Sequence, residues 1–479
     1  MQQRGQQQAS GQVARRPEDN NRRLARVHGG VKDTCTGRGI IGDKMGLYEA
    51  HLTTTDRVRE QMRLHLGLAE SDGEDWDYAA ADTKTHTHGY HIYPAMMIPQ
   101  VARRLIRTYG GGARLLLDPF CGSGTSLVEA RLAGVNAVGI DLNPFAVLLA
   151  RVKTTDYDLL AVHRHARELR QCVDDLLKRG VEIPPPRFYN IDYWFKPEAQ
   201  RDLALLRYAI ESAVPAETRD FFWVAFAATV RECSNTRRGE YKLYRIPEAE
   251  LPAYRPRVFE TFWERLGRNL RGLEEFLRDR DPHTRADVYE RDLREGVPLP
   301  TGAVDIVVTS PPYGDSQTTV AYGQFSRLVL QWLGYDDETA KSIDKRALGG
   351  RLAPTEPRYE SPSLARALAA IGDACPKRAA QVKQFYDDFA QCFPELSRVV
   401  RAGGYGCFVV GNRTVKGVRL PTDRILIEIA ACFGWTHITT HHRNIPNKRM
   451  PLRNSPSNKP GELSPTMTEE HIVVLQRQP

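Results

Sequence analysis

The sequence predicts an α/β protein: a parallel, doubly wound sheet interrupted by a large helical insert. Three observations predict it. A strand, a glycine turn, a helix and a second strand follow one another in "RLLLDPFCGSGTSLVEARLAGVNAVGID". Segments with apolar residues at helical spacing then run from Tyr157 to about Asp281. Strand patterning returns in "ADVYERD", "AVDIVVTS" and "YGCFVVGN".

Taken in chain order, residues 1–48 are rich in Gln and Arg and read as a disordered basic tail. Arg15, Arg16, Arg22, Arg23 and Arg26 would give that tail an incidental attraction to phosphate. It lacks the apolar stretch of a signal peptide. Residues 49–85 read as a helix, Glu49 to Leu68, and an acidic linker, "AESDGEDWD". Residues 86–155 carry an amphipathic helix from Pro99 to Tyr109 and a strand from Arg114 to Leu117. A helix from Thr125 to Leu132 and a strand from Ala137 to Ile140 follow. Residues 156–283 form the helical insert, and 284–333 hold the returning strands. Residues 334–380, rich in charge and proline, read as a second, irregular insert or loop. Residues 381–479 complete the sheet domain with a helix from Val382 to Val400, a glycine turn and the strand "YGCFVVGN", and "DRILIEIAACFGW", "THITTHHRNI" and "EEHIVVLQR" finish its α/β rhythm.

The bulk numbers bound the function. With 479 residues, 41% hydrophobic and 26% charged, the chain can bury a large core and exceeds one average domain. No apolar run is long enough to cross a bilayer. The net charge of +8 favours a polyanionic partner. Eight cysteines without a CxxC pair indicate neither zinc nor a disulfide framework, and fit a reducing, cytoplasmic compartment. His441 and His442 have no third ligand at suitable spacing, so no metal is expected.

The glycine turn suggests a ligand. Asp118 closes the first strand, Gly122 and Gly124 follow, and a helix begins near Thr125. Such a turn lets a ligand approach the backbone and points helix N–H groups into the crevice. The second strand ends on Asp141, placed to accept both hydroxyls of a ribose. A dinucleotide needs a third glycine for its pyrophosphate, and Asp118 would repel phosphate but suit an ammonium. S-adenosylmethionine has the ribose, the cation and no phosphate. A third acid, Asp292, follows the strand that ends near Arg291. It is either an acceptor for the adenine amine or a solvated turn residue.

The strand "VDIVVT" stops on Ser310-Pro311-Pro312-Tyr313, and prolines cannot continue a central strand. Over a bound methyl donor this corner gains a purpose. An exocyclic amine is a weak nucleophile because its lone pair is delocalised into the ring. Two acceptors on its N–H groups, the Ser310 side chain and the Pro311 carbonyl, favour a pyramidal nitrogen aimed at the methyl. The prolines fix φ, and Tyr313 offers a flat face for an extruded base.

The pair "DPFCGSGT" and "TSPPYG" resembles the amino-methylating DNA methyltransferases, specifically those acting on cytosine N4. The resemblance covers Asp118, Phe120, Gly122, Gly124 and Thr125, then Asp141 and Asn143, then Ser310 to Tyr313. Tyr93 and Pro94 in "HGYHIYPAMMIP" are similar to the family's methionine-side cofactor motif. The resemblance implies a Rossmann-like class I sheet of seven strands with one reversed, S-adenosylmethionine as cofactor, double-stranded DNA as substrate, base flipping, and a possible cognate restriction endonuclease. A serine opening the catalytic motif is typical of cytosine-N4 members, an aspartate of adenine-N6 members. The insert at 156–283 becomes the candidate target-recognition region, with the region after Tyr313 as the other candidate.

For DNA contact, "RECSNTRRGEYKLYR" offers Arg231, Arg237, Arg238, Lys242 and Arg245 interleaved with Tyr241 and Tyr244. "HHRNIPNKRMPLRN" adds Arg443, Lys448, Arg449 and Arg453, and Tyr322 is placed to stack on a flipped base. Cytosine-C5 methylation needs a cysteine nucleophile, typically after proline, and the chain has no Pro-Cys pair. Adenine-N6 methylation, RNA guanine-N2 methylation and a DNA-binding protein on an inactive fold stay open as alternatives.

Overall fold

The computed structural model describes residues 75–315, 319–351, 359–445, 453–454, 464–465 and 467–479. The tail arginines and the helix expected over 49–68 lie outside these residues. At the centre is a seven-stranded sheet: β1 (Leu115–Asp118), β2 (Asn136–Asp141), β3 (Ala286–Glu290), β4 (Val304–Thr309), β5 (Val400–Val410), β6 (Trp435–Asn444) and β7 (Glu469–Arg477). Their spatial order is β3-β2-β1-β4-β5-β7-β6. The pairs from β3 through β5 are parallel, and β7 runs antiparallel to both β5 and β6. The expected seven strands with one reversed are therefore present.

The strands are apolar on both sides because both faces are covered. Leu116, Ala137, Ile306, Cys407 and Ile472 face one layer, while Leu117, Val138, Val307, Phe408 and Val473 face the other. The first layer holds α1 (Pro99–Tyr109), α2 (Thr125–Leu132) and α3 (Pro144–Thr154). Helix α1 starts on a proline and buries Val101, Ala102, Leu105 and Ile106, the period of one helical face. The insert supplies α4 (Leu159–Lys178), α5 (Pro197–Ala213), α6 (Ala216–Cys233) and α7 (Val258–Asp279). These helices share one core with Phe145, Leu149 and Val152 of α3, centred on Phe221, Phe222 and Phe226. The insert thus extends the first layer instead of standing apart from it.

The irregular stretch expected at 334–380 is largely helical. It contains α8 (Asp337–Arg346), α9 (Pro362–Ala374) and the start of α10 (Pro376–Ala390), preceded in the chain by a helix at Tyr322–Trp332. The charges and prolines mark helix starts, not breaks. Asp336 accepts from the Thr339 N–H at 2.7 Å, Ser361 caps Leu364, and Pro362 and Pro376 occupy first-turn positions where no N–H is needed. The single helix expected from Val382 to Val400 is two, Pro376–Ala390 and Phe393–Val399, the second again opening with a proline in its first turn.

Candidate active site

Adjacent parallel strands bring the two sequence motifs together. Leu117 pairs with Val307, so the C-terminal ends of β1 and β4 lie side by side. Asp118 at the first end is 4% exposed and accepts from Thr309 Oγ1 at the second at 2.6 Å. It also accepts from the Ser126 hydroxyl and from the Phe120 N–H, the latter at 3.1 Å. Burial pushes its carboxyl up to about 6 against the pull of those donors. The carboxylate expected to face an ammonium lines the cleft, and it also knots the glycine turn to the strand leading into Ser310.

The turn itself requires glycine at two places. Gly122 and Gly124 have φ of +49° and +81°. A Cβ at Gly124 would sit 2.9 Å from the Cα and Cβ of Ala150, on the helix that follows β2. Gly124→Ala is therefore expected to cost about 2–4 kcal/mol, combining left-handed backbone strain with forced separation of two helices. Urea unfolding measures it.

Asp141 ends β2 and ties the turn to that strand: its two oxygens accept from Gly122 N at 3.0 Å and Asn143 N at 2.8 Å. Burial raises its carboxyl to about 6 as well, against those backbone donors. Asn143 caps α3 through Phe145 N and donates from Nδ2 to Tyr93 Oη at 3.0 Å and Ser326 Oγ at 2.8 Å. Its side chain thus braces the cleft wall. Tyr93 stacks on Tyr322 with centroids 5.9 Å apart and 28° between planes. Pro94 and Phe120 line the same cleft, as does Thr125. Asp292 does too, and its carboxylate takes a two-pronged bond from Arg294 at 2.9 and 2.6 Å. Burial would raise that carboxyl, but Arg294 outweighs it and holds the group below its ordinary value.

Ser310 and Pro312 line this cleft together with Asp118, Asp141 and Asp292. Tyr313 is not part of that lining: its hydroxyl lies 3.2 Å from Ser310 Oγ and donates to Glu470 on β7 at 2.8 Å. The sequence reading missed Ile343, Ala347 and Leu348, which close the cleft from α8 and the turn after it. They are plain apolar residues, and nothing in their spacing marks them as ligand-facing. The charged lining is three carboxylates and Arg291. That set suits a cationic, hydroxyl-bearing ligand and disfavours a pyrophosphate, and S-adenosylmethionine fits it.

The basic segments divide. Residues 234–246 form a small hairpin closed by a Thr236–Arg245 bridge, with Arg237 and Arg238 exposed and Lys242 half-buried. Arg245 instead packs over the Tyr193 ring, donates to the Tyr193 carbonyl and pairs with Glu248. Arg231 lies against Phe325, 3.6 Å from the ring centre. Arg443, expected to line a DNA channel, is 6% exposed; it pairs with Glu470 at 2.5 Å and donates to the Trp76 carbonyl. Its strand position turns it inward, so its charge is neutralised inside the protein. Lys448 and Arg449 lie outside the described residues, as does the side chain of Arg453. Among the described residues no cluster of His, Cys, Asp and Glu is arranged to hold a metal, and no helix is long and apolar enough to cross a membrane.

Comparison with known proteins agrees with this geometry. A family model described as DNA methylase, of the N6/N4 type, matches residues 8–151. The Type II methyltransferase M.MvaI of Kocuria varians is 39% identical over 417 residues, covering 82% of this chain and 92% of that protein. A tRNA (guanine(10)-N2)-dimethyltransferase of Methanothermobacter thermautotrophicus is 38% identical over 99 residues, 20% of this chain and 29% of that one. Among solved structures, TrmN from Thermus thermophilus aligns over 80% of this chain and 49% of its own at 10% identity and a TM-score of 0.26. The fold assignment rests on the strand order, not on that overlap. The length and level of the M.MvaI match, on a sheet that unites both motifs in one cleft, place this chain in the Type II, restriction-modification family of S-adenosylmethionine-dependent DNA methyltransferases of the N6/N4 class.

Proposed function

We propose that the chain methylates the exocyclic N4 amine of cytosine in duplex DNA, by base flipping and direct transfer without a covalent enzyme intermediate. The observation that carries this reading is the serine at position 310, in the same cleft as Asp118 and Asp141. S-adenosylmethionine, when bound, supplies an electrophilic sulfonium methyl. Asp141 would accept the ribose hydroxyls, Asp292 the adenine amine, and Tyr93, Pro94, Phe120 and the glycine turn would shape the remaining walls. Ser310 Oγ and the Pro311 carbonyl would hold the two N–H groups of the target amine, keeping its lone pair out of the ring and pointed across the cleft. Pro312 makes the corner rigid. Tyr322 flanks the space for an extruded base, while Tyr313, held by Glu470, is not among the residues that line the cleft.

Arg237 and Arg238, exposed on the insert, and the half-buried Lys242 beside them would make phosphate or base-edge contact. The insert is accordingly the favoured target-recognition region, and the enzyme is read as the cytoplasmic companion of a restriction endonuclease. Sequencing that reports modified bases on DNA from cells expressing the chain tests the reading. N4-methylcytosine at one short motif is the expected result. N6-methyladenine there, or methylated tRNA with unmodified DNA, would overturn it.

A further inference from the structure

Ser310 raises a problem that a carboxylate would not. Holding an amine N–H requires an acceptor, and a hydroxyl is both donor and acceptor. A serine free to rotate would present its hydrogen to the substrate for part of the time. The surrounding bonds resolve the ambiguity. Tyr313 Oη lies 2.8 Å from Glu470 Oε1 and 3.2 Å from Ser310 Oγ. A phenol carries a single proton, and an ionised carboxylate can only accept. The Tyr313 proton therefore goes to Glu470, and toward Ser310 the phenol oxygen can only accept. The Ser310 hydrogen is drawn toward Tyr313, leaving the lone pairs of its oxygen for the cleft it lines.

We propose that Glu470 is a positioning residue that sets the direction of this hydrogen-bond chain and so makes Ser310 an acceptor for the target amine. The inference rests on the role given to Ser310 above. Glu470 is itself held: its second oxygen takes Arg443 Nη1 at 2.5 Å from the directly paired position on β6. Arg443 is anchored in turn on the Trp76 carbonyl at 3.2 Å. Burial, and then the Glu470 charge, raise the Tyr313 phenol well above its ordinary value, so it keeps its proton. A residue on the reversed strand thereby lets a serine do the work an aspartate does unaided.

The test is a double-mutant cycle on single-turnover methyl transfer, at saturating S-adenosylmethionine and a duplex carrying the mapped motif. Glu470→Gln is expected to slow transfer about 10-fold, one hydrogen bond's worth of transition-state stabilisation, with cofactor and DNA affinity unchanged. In a Tyr313→Phe background, where the chain is already cut, the same change should cost less than about twofold. An equal loss in both backgrounds would show that Glu470 acts only through its packing with Arg443, and a wild-type rate for E470Q would remove it altogether. Thermal unfolding checks each variant. Should E470Q fail to fold, Glu470→Asp keeps the charge opposite Arg443 while withdrawing the oxygen from Tyr313, and it carries the same expectation. Ser310→Ala, run alongside, separates the two claims. Full activity in S310A sinks the assignment of Ser310 itself. An inactive S310A with equal E470Q losses in both backgrounds sinks the wiring alone.

Discussion

Replacing Ser310 by alanine is expected to lower the rate of methyl transfer by about 10²–10³-fold, the range seen when one preorganised hydrogen-bond partner is removed from a transition state. Affinity for the DNA duplex and for the cofactor should stay within about threefold, because the loss falls on the reacting amine and not on ground-state binding. The fold should tolerate the change. Tyr313 keeps its bond to Glu470, so no buried donor is stranded, and Thr309 keeps its bond to Asp118. Single-turnover kinetics beside a filter-binding isotherm would show the split. A proportionate loss of DNA binding would mean that Ser310 positions the duplex and does not serve the chemistry.

Asp141→Ala carries the second large effect. Two hydroxyl-to-carboxylate bonds, each about 1.5 kcal/mol, correspond together to a cofactor affinity weaker by about 100-fold. The same change strands the N–H groups of Gly122 and Asn143, so the glycine turn loosens too. Calorimetry with S-adenosylmethionine measures it, and unchanged affinity would refute the ribose assignment. The pH dependence gives a second reading of the same residue. Burial holds this carboxyl at about 6, above its ordinary 3.8. The ligand-free protein therefore takes up a proton as pH falls through about 6, and cofactor affinity should fall with it. Asp141→Asn should flatten that dependence. For folding the sign is opposite. Between about pH 6 and 4 the folded chain binds this proton more readily than the unfolded chain, so acidification favours the fold at this site.

Much of the site was legible because its residues sit at strand ends next to punctuation. Asp118 precedes a glycine turn, Asp141 closes an apolar run, and Ser310 stands before two prolines. Each is a local signal, and the parallel register does the rest. Less legible were roles decided by what an already recognised residue touches. Asn143 lines the cleft, and its side chain also braces Tyr93 and Ser326. Asp292 shares its carboxylate with Arg294, a partner two residues away whose direction no spacing rule gives. Prolines at 362 and 376 read as breakers, although the same residue type opens a helix when it stands in the first turn, where no backbone N–H is needed.

By itself the amino-acid sequence determined the class of sheet, the order of its first strands, the two motifs and the chemistry they imply. All of these follow from apolar period and from residues within a dozen positions of one another. Only the tertiary structure decided which charges remain available and which are cancelled. Arg443 looked like a DNA contact until the pairing of β6 with β7 set it against Glu470, 27 residues later in the chain. The direction of the Ser310 hydroxyl depends on that same carboxylate, 157 residues beyond Tyr313. A hydrogen bond's partner is fixed by strand register and burial, and neither is a property of any short stretch of sequence.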